Sequence, residues 1–155
     1  MTTRGGLSLL FDLFAANGAA RALLTPVMAP TGLTAEQYAL YSVLRTRGPM
    51  TLTEFAAAGH MPLTTASDQV RAMDRLSHVT RRRNPADGRS WLVELTPEGT
   101  AAHEVARVAF ADVARHVQRL LSLPEPEVRR ALRAVEEACV AATDHLVSTQ
   151  TTTEP

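Results

Sequence analysis

The 155-residue chain carries 16 basic and 16 acidic residues, a formal net charge of +0, 45% hydrophobic residues and one cysteine. That composition suits one folded unit with a core; it excludes a disordered chain, an internal disulfide framework and attachment to nucleic acid through bulk charge. No apolar run approaches the roughly 20 residues of a membrane span. Asp12 interrupts the apolar start, so no signal peptide is read there and a cytoplasmic location is expected.

Residues 7–28 read as a first helix, weakened at Gly18 and bent or ended at Pro26. Thr34 and Gln37 have capping-box spacing and open a helix through Arg45, which Gly48-Pro49 stops. Thr51 and Glu54 repeat that spacing and open a short helix to about Gly59. Another helix starts near Pro62 and runs to about Leu76, with Thr64, Thr65 and Ser67 in its first turns. The period then changes. Residues 79–83 and 90–95 are rich in β-branched and aromatic residues, and Asn84-Pro85-Ala86-Asp87-Gly88 between them is turn chemistry, so a hairpin is expected. Thr96 caps a long helix with Pro97 at its first position, running to about Leu121. After a break at Pro124-Glu125-Pro126 comes a last helix. Its apolar residues Val128, Leu132, Val135, Cys139, Ala142 and Leu146 recur at heptad-like spacing, which fits either an internal core face or a subunit interface. The polar end, 149–155, is expected to be disordered.

Charge is local even though the total is zero. Between Arg71 and Arg89 six arginines face only Asp74 and Asp87, and a field of this kind acts within a screening length of about 10 Å. Every basic residue is Arg, but arginines are spread over the whole chain, so composition alone does not point to phosphate. The five histidines have no metal-ligand spacing, and no phosphate loop or nucleophile elbow occurs. Neither an enzyme, a metal site nor a cofactor is expected.

Helix, turn, helix and hairpin in this order make a winged helix. The stretches LTAEQYALYSVL, TLTEFAAAGHMPLTTASDQV and NPADGRSWLVELTPEG resemble the second helix, the helix-turn-helix and the wing of the MarR family of transcriptional regulators. The resemblance covers nearly the whole chain in element order and is sharpest over 33–99. It implies a mainly α fold with a small β-hairpin wing, a DNA-binding domain at 33–99 and dimerisation helices at 1–32 and 100–148. Two departures stand out. Ser77 replaces the usual glycine after the recognition helix, and Gly88 replaces a basic residue in mid-wing, which is expected to loosen the tip.

Candidate DNA contacts follow. Thr64, Thr65 and Ser67 offer hydroxyls at the helix start, one of them expected as the cap. Asp68 can accept from cytosine, and Arg71 lies on the face of Thr64 and Ser67 and suits guanine or phosphate. Gln69 is as well placed to turn inward as to reach adenine. On the strand, Arg81 and Arg83 point together toward DNA, while Arg82 pairs across the hairpin with a carboxylate such as Glu94. Arg89 suits the minor groove. The family pattern implies that Asp87 supports the wing through a salt bridge to Arg89 or another arginine. It also implies a pocket for a small aromatic or anionic effector, with Phe11, Phe14, Met28, Tyr38, Tyr41, His103 and Arg107 as lining candidates, although most of the apolar ones also read as core. The expected function is a ligand-responsive repressor binding a pseudo-palindromic double-stranded operator as a homodimer. The alternative is a MarR-like protein-interaction module without specific operator binding.

Overall fold

The computed structural model describes residues 8–151, with side chains to residue 146. The elements are α1 (Leu9–Met28), a 3-10 turn (Ala29–Thr31), α2 (Ala35–Arg47), β1 (Met50–Thr51), α3 (Leu52–Ala58), α4 (Leu63–Arg75), β2 (Val79–Arg83), β3 (Trp91–Leu95), α5 (Pro97–Leu120) and α6 (Glu125–Thr151). The fold is a winged helix, mainly α, with a three-stranded antiparallel sheet in the order β1-β3-β2.

Local chemistry sets most boundaries. Both capping boxes form: Thr34 Oγ1 accepts from the Gln37 N–H at 3.1 Å, and Thr51 Oγ1 from the Glu54 N–H at 3.2 Å. The return bonds run from the Thr34 and Thr51 N–H groups to the Gln37 and Glu54 side chains. The Thr51 N–H and hydroxyl hold the Glu54 carboxyl below its ordinary value. Helix α2 goes two residues beyond Arg45 and ends at Gly48, whose φ of 78° and ψ of −163° suit only glycine. Pro26 lies inside α1; the helix continues to Met28 and then tightens into the 3-10 turn.

By contacts the chain forms two compact units, Met1–Val113 and Ala114–Pro155, with the boundary inside α5. The first unit holds the core: Met28, Tyr41, Phe55, Val70, Val79 and Val93 are all at most 3% exposed. Met50 of β1 joins it, opposite Val93 in the register. A two-residue strand has no period to read, and so β1 was not expected. In the second unit no described residue of α6 is buried. Of its heptad-like stripe, Val128, Val135 and Cys139 are half-buried, while Leu132, Ala142 and Leu146 are exposed. Helix α6 continues through Thr151, so residues 149–151 are helical where a disordered tail was expected; residues 152–155 lie outside the described range.

Candidate nucleic-acid interface

Helix α4 has two faces because its small and apolar residues recur at helical spacing. Ala66, Val70 and Met73 are buried. Thr64, Asp68, Arg71 and Arg75, at steps of four and three, form the opposite exposed stripe; Thr65 beside it is also exposed, and Ser67 and Gln69 are half-buried. None of the three hydroxyl residues caps the helix, contrary to expectation. The N-cap is Pro62, which makes no side-chain cap bond, because the turn delivers proline to that position and its carbonyl accepts from the Ala66 N–H. Pro62 therefore gives the N–H groups of the first turn of α4 no side-chain cap, which favours an anion there. Arg71 Nη1 donates to Asp68 Oδ1 at 3.2 Å, so these two candidates are paired on the exposed face. Arg75 completes the stripe, one turn beyond Arg71; its spacing from Arg71 was the available signal.

Both helices around the turn end the same way. The His60 N–H donates to the Ala57 carbonyl and the Met61 N–H to the Ala56 carbonyl. At the end of α4, the Ser77 N–H donates to Asp74 and the His78 N–H to Met73. These are paired Schellman bonds, which need a left-handed residue after the cap. His60 (φ 48°) and Ser77 (φ 58°) supply it without glycine. Ser77 thus adopts the left-handed cap itself and bears the steric cost of that region.

The end of α4 is tied to two elements at Ser77 and His78. The His78 carbonyl accepts from the Thr96 N–H at 3.0 Å. Thr96 Oγ1 donates to the Ser77 carbonyl at 2.7 Å and accepts from the Gly99 N–H at 3.0 Å. The Tyr41 hydroxyl lies 2.8 Å from His78 Nδ1. Helix α2 and the start of α5 thereby hold the recognition helix at its far end.

In the wing, antiparallel register puts Val79, Arg81 and Arg83 on one face, with Leu95, Val93 and Trp91 directly opposite. Arg81 lines a cleft of about 410 Å³ between α4 and the wing, together with Ser67, Val70, Trp91, Thr51 and Thr53 among others. Arg83 does not extend freely outward as expected of a DNA contact. Its guanidinium lies 4.4 Å from the Trp91 ring centroid, and Nη1 donates to the Gly88 carbonyl at 2.9 Å. On the other face Arg82 pairs with Glu94 at 3.3 Å, as alternation implies.

The tip is a chain of hydrogen bonds. The Asp87 N–H donates to the Asn84 carbonyl at 3.2 Å, and the Ser90 N–H to the Asp87 carbonyl at 3.0 Å. Asp87 Oδ1 accepts from the main-chain N–H of Arg89 at 3.1 Å. Asp87 therefore supports the wing through a turn bond to the backbone, where a salt bridge to a guanidinium was expected. Gly88 has no positive φ, and a Cβ on it would meet nothing within 4 Å. Its carbonyl accepts from Arg83 Nη1 at 2.9 Å. The Arg89 side chain is exposed at the end of this frame.

The candidate effector residues separate. Tyr38 stacks on His103 (5.1 Å between centroids, 16°) and packs on Phe110 at 4.9 Å. Ser42 Oγ donates its one hydrogen to the Tyr38 carbonyl at 2.8 Å, so at the 3.0 Å contact with His103 it accepts from Nε2–H. Burial pushes the His103 pKa down, consistent with that neutral tautomer. Arg107 is bonded to Glu104 at 2.8 Å. Tyr41 is core and bonded to His78, and Met28 is core. Phe14 is 74% exposed and Phe11 47%; among the described ring contacts neither appears. The seven residues do not together line one of the described cavities. A cleft of about 360 Å³ lies instead between α1 and α2, lined by Arg21, Met28, Leu33 and Glu36 among others, with Arg21 and Glu36 paired at 3.0 Å. Among the described residues no cluster of His, Cys, Asp and Glu could hold a metal, and no helix is long and apolar enough to cross a membrane.

Comparison with known proteins places this geometry. The MarR family model matches residues 33–91. A probable transcriptional regulator from Pseudomonas aeruginosa is 31% identical over 82% of this chain and 95% of its own, with a TM-score of 0.71. The M. tuberculosis regulator MosR, solved in complex with DNA, is 25% identical over 88% of this chain and 98% of its own, at a TM-score of 0.77. The transcriptional repressor CouR, bound to a 23-mer DNA duplex, is 25% identical over 86% and 92%, at 0.69. No curated protein matches the sequence. On the family match and the 31% identical relative, the chain belongs to the MarR family of transcriptional regulators.

Proposed function

We propose that the protein is a homodimeric repressor that places α4 in the major groove of a pseudo-palindromic operator and the wing in the flanking minor groove. The observation that carries this reading is the stripe of Thr64, Asp68, Arg71 and Arg75 on one compact unit with the bonded wing that carries Arg89. Thr64, Thr65 and the free first turn of α4 serve phosphates and base edges; Arg71 and Asp68 serve bases once their mutual pair opens. Ser67 and Arg81 contribute at the cleft between helix and wing. Two relatives solved on DNA, MosR and CouR, support the assignment.

A dimer is supported by apolar side chains left exposed in the chain: Leu10 and Phe14 of α1, Val105 and Val108 of α5, and Leu132 and Leu146 of α6. Twofold symmetry then presents two recognition helices about one DNA turn apart. Response to a small aromatic or anionic effector is part of the proposal: a ligand that favours the wrong spacing of the two helices releases DNA through its differential affinity for the two states. The Arg107–Glu104 pair beside the Tyr38 ring ladder and the cleft at Arg21 are the candidate seats.

A mobility-shift titration with the DNA upstream of the protein's own gene tests the reading. A retarded complex of one dimer per site, absent with scrambled DNA, is the expected result. Equal affinity for both sequences overturns the repressor assignment and leaves the protein-interaction module.

A further inference from the structure

The wing holds an arrangement that direct contact with DNA leaves unused. Arg83 closes β2 opposite Trp91, the first residue of β3. One side chain thus joins three points: its own strand end, the ring on the facing strand at 4.4 Å and the Gly88 carbonyl across the tip at 2.9 Å. A guanidinium engaged on a ring face and a carbonyl has less left to offer a phosphate. Its neighbours of the same type differ: Arg82 is paired with Glu94, and Arg89 projects from the crown.

We propose that Arg83 is a positioning residue for DNA recognition: stacked on Trp91 and bonded to Gly88, it fixes the crown of the wing so that Arg89 meets the minor groove in one orientation. The inference rests on the DNA-binding reading above. Its physical basis is entropic. Ordering a loop residue costs conformational entropy, and a loop ordered before binding does not lose that freedom on binding. The two contacts need a planar, delocalised cation with a donor at its edge. Arginine has both, whereas lysine offers a point charge that keeps its hydration.

Trp91 is the chain's single tryptophan, so its emission reports the clamp without DNA. The full-length protein and its Arg83→Ala and Arg83→Lys variants are compared by Trp anisotropy decay and acrylamide quenching, and then by titration of labelled upstream DNA at several salt concentrations. In both variants Trp91 is expected to become more mobile and more readily quenched. Affinity is expected to fall about fivefold, the scale of one exposed cation–π contact, with the slope of log K against log salt unchanged. Arg83→Lys behaving like wild type overturns the proposal, since charge alone then suffices. So does a slope shallower by about 0.9, the mark of a lost phosphate contact. An unchanged Trp91 signal beside normal wild-type binding overturns the clamp alone. Failure of the wild type to bind the DNA overturns the DNA reading, and the positioning role falls with it.

Discussion

Gly99 lies so close to the main chain of His78 that a β-carbon on it would stand 2.0 Å from the His78 carbonyl oxygen and 2.8 Å from its carbon. The glycine of the Leu-Thr-x-x-Gly wing exit is thus a close-approach residue: it lets the first turn of α5 rest on the end of the recognition helix. Gly99→Ala must push backbone against backbone. Overpacking of this kind costs about 1–3 kcal/mol and occasionally more. The expected outcome is a lower urea midpoint at an unchanged m-value.

Ser77 occupies a left-handed cap at φ 58°, where a side chain costs roughly 1–2 kcal/mol that glycine avoids. Part of that returns as the extra freedom of glycine in the unfolded chain. Ser77→Gly is therefore expected to raise stability by about 0.5–1 kcal/mol, measured by thermal unfolding. The Schellman bonds of Ser77 and His78 are made by main-chain groups and persist.

Gly88 has open space where a side chain would grow and a backbone angle any residue accepts. Gly88→Arg should leave the tip intact and add a cation to the crown. The expected result is tighter DNA binding with a salt slope steeper by about 0.9, one more phosphate neutralised; a titration over salt concentration measures it.

His103 is 5% exposed and donates through Nε2–H to Ser42. Its folded pKa lies below the ordinary 6.5, first because of burial; Arg45 and Arg107 act in the same direction and Glu104 opposes them. The unfolded chain then binds more protons between the two values. This contribution to stability is complete above about 6.5 and is lost as the pH falls below it. Urea unfolding of the wild type and His103→Gln between pH 7.5 and 5.5 should show the flatter profile in the variant. Ser42→Ala leaves the ring N–H without its acceptor and is expected to cost about 1–3 kcal/mol at pH 7.5.

What could be read from the residues and what could not divides by range. Thr34 with Gln37, Thr51 with Glu54 and Thr96 with Gly99 act over three positions, so local pattern placed three helix starts. Strand alternation paired Arg82 with Glu94. It put Arg81 and Arg83 on one face, but a face does not name a partner, and the contacts of Arg83 with Trp91 and the Gly88 carbonyl were not legible. The Asp87 turn bond competes with a salt bridge of the same sequence spacing, and only geometry decides between them. The Tyr38–His103 stack joins residues 65 positions apart, for which no periodic signal exists. Likewise Pro62 as N-cap follows from the left-handed His60 before it, a backbone choice that residue types other than glycine do not announce.

On the proposed reading, the exposed face of α4 and the tip of the wing form the DNA surface. The most direct test is fluorescence anisotropy of labelled upstream DNA titrated with wild type, Arg71→Ala and Arg89→Ala across a range of salt. The wild type is expected to bind that DNA well above scrambled DNA with a steep salt slope. Each variant should lose about 1–3 kcal/mol of binding, the scale of a specific arginine contact. Wild-type affinity retained in both variants, or a flat salt dependence, would rule out that surface.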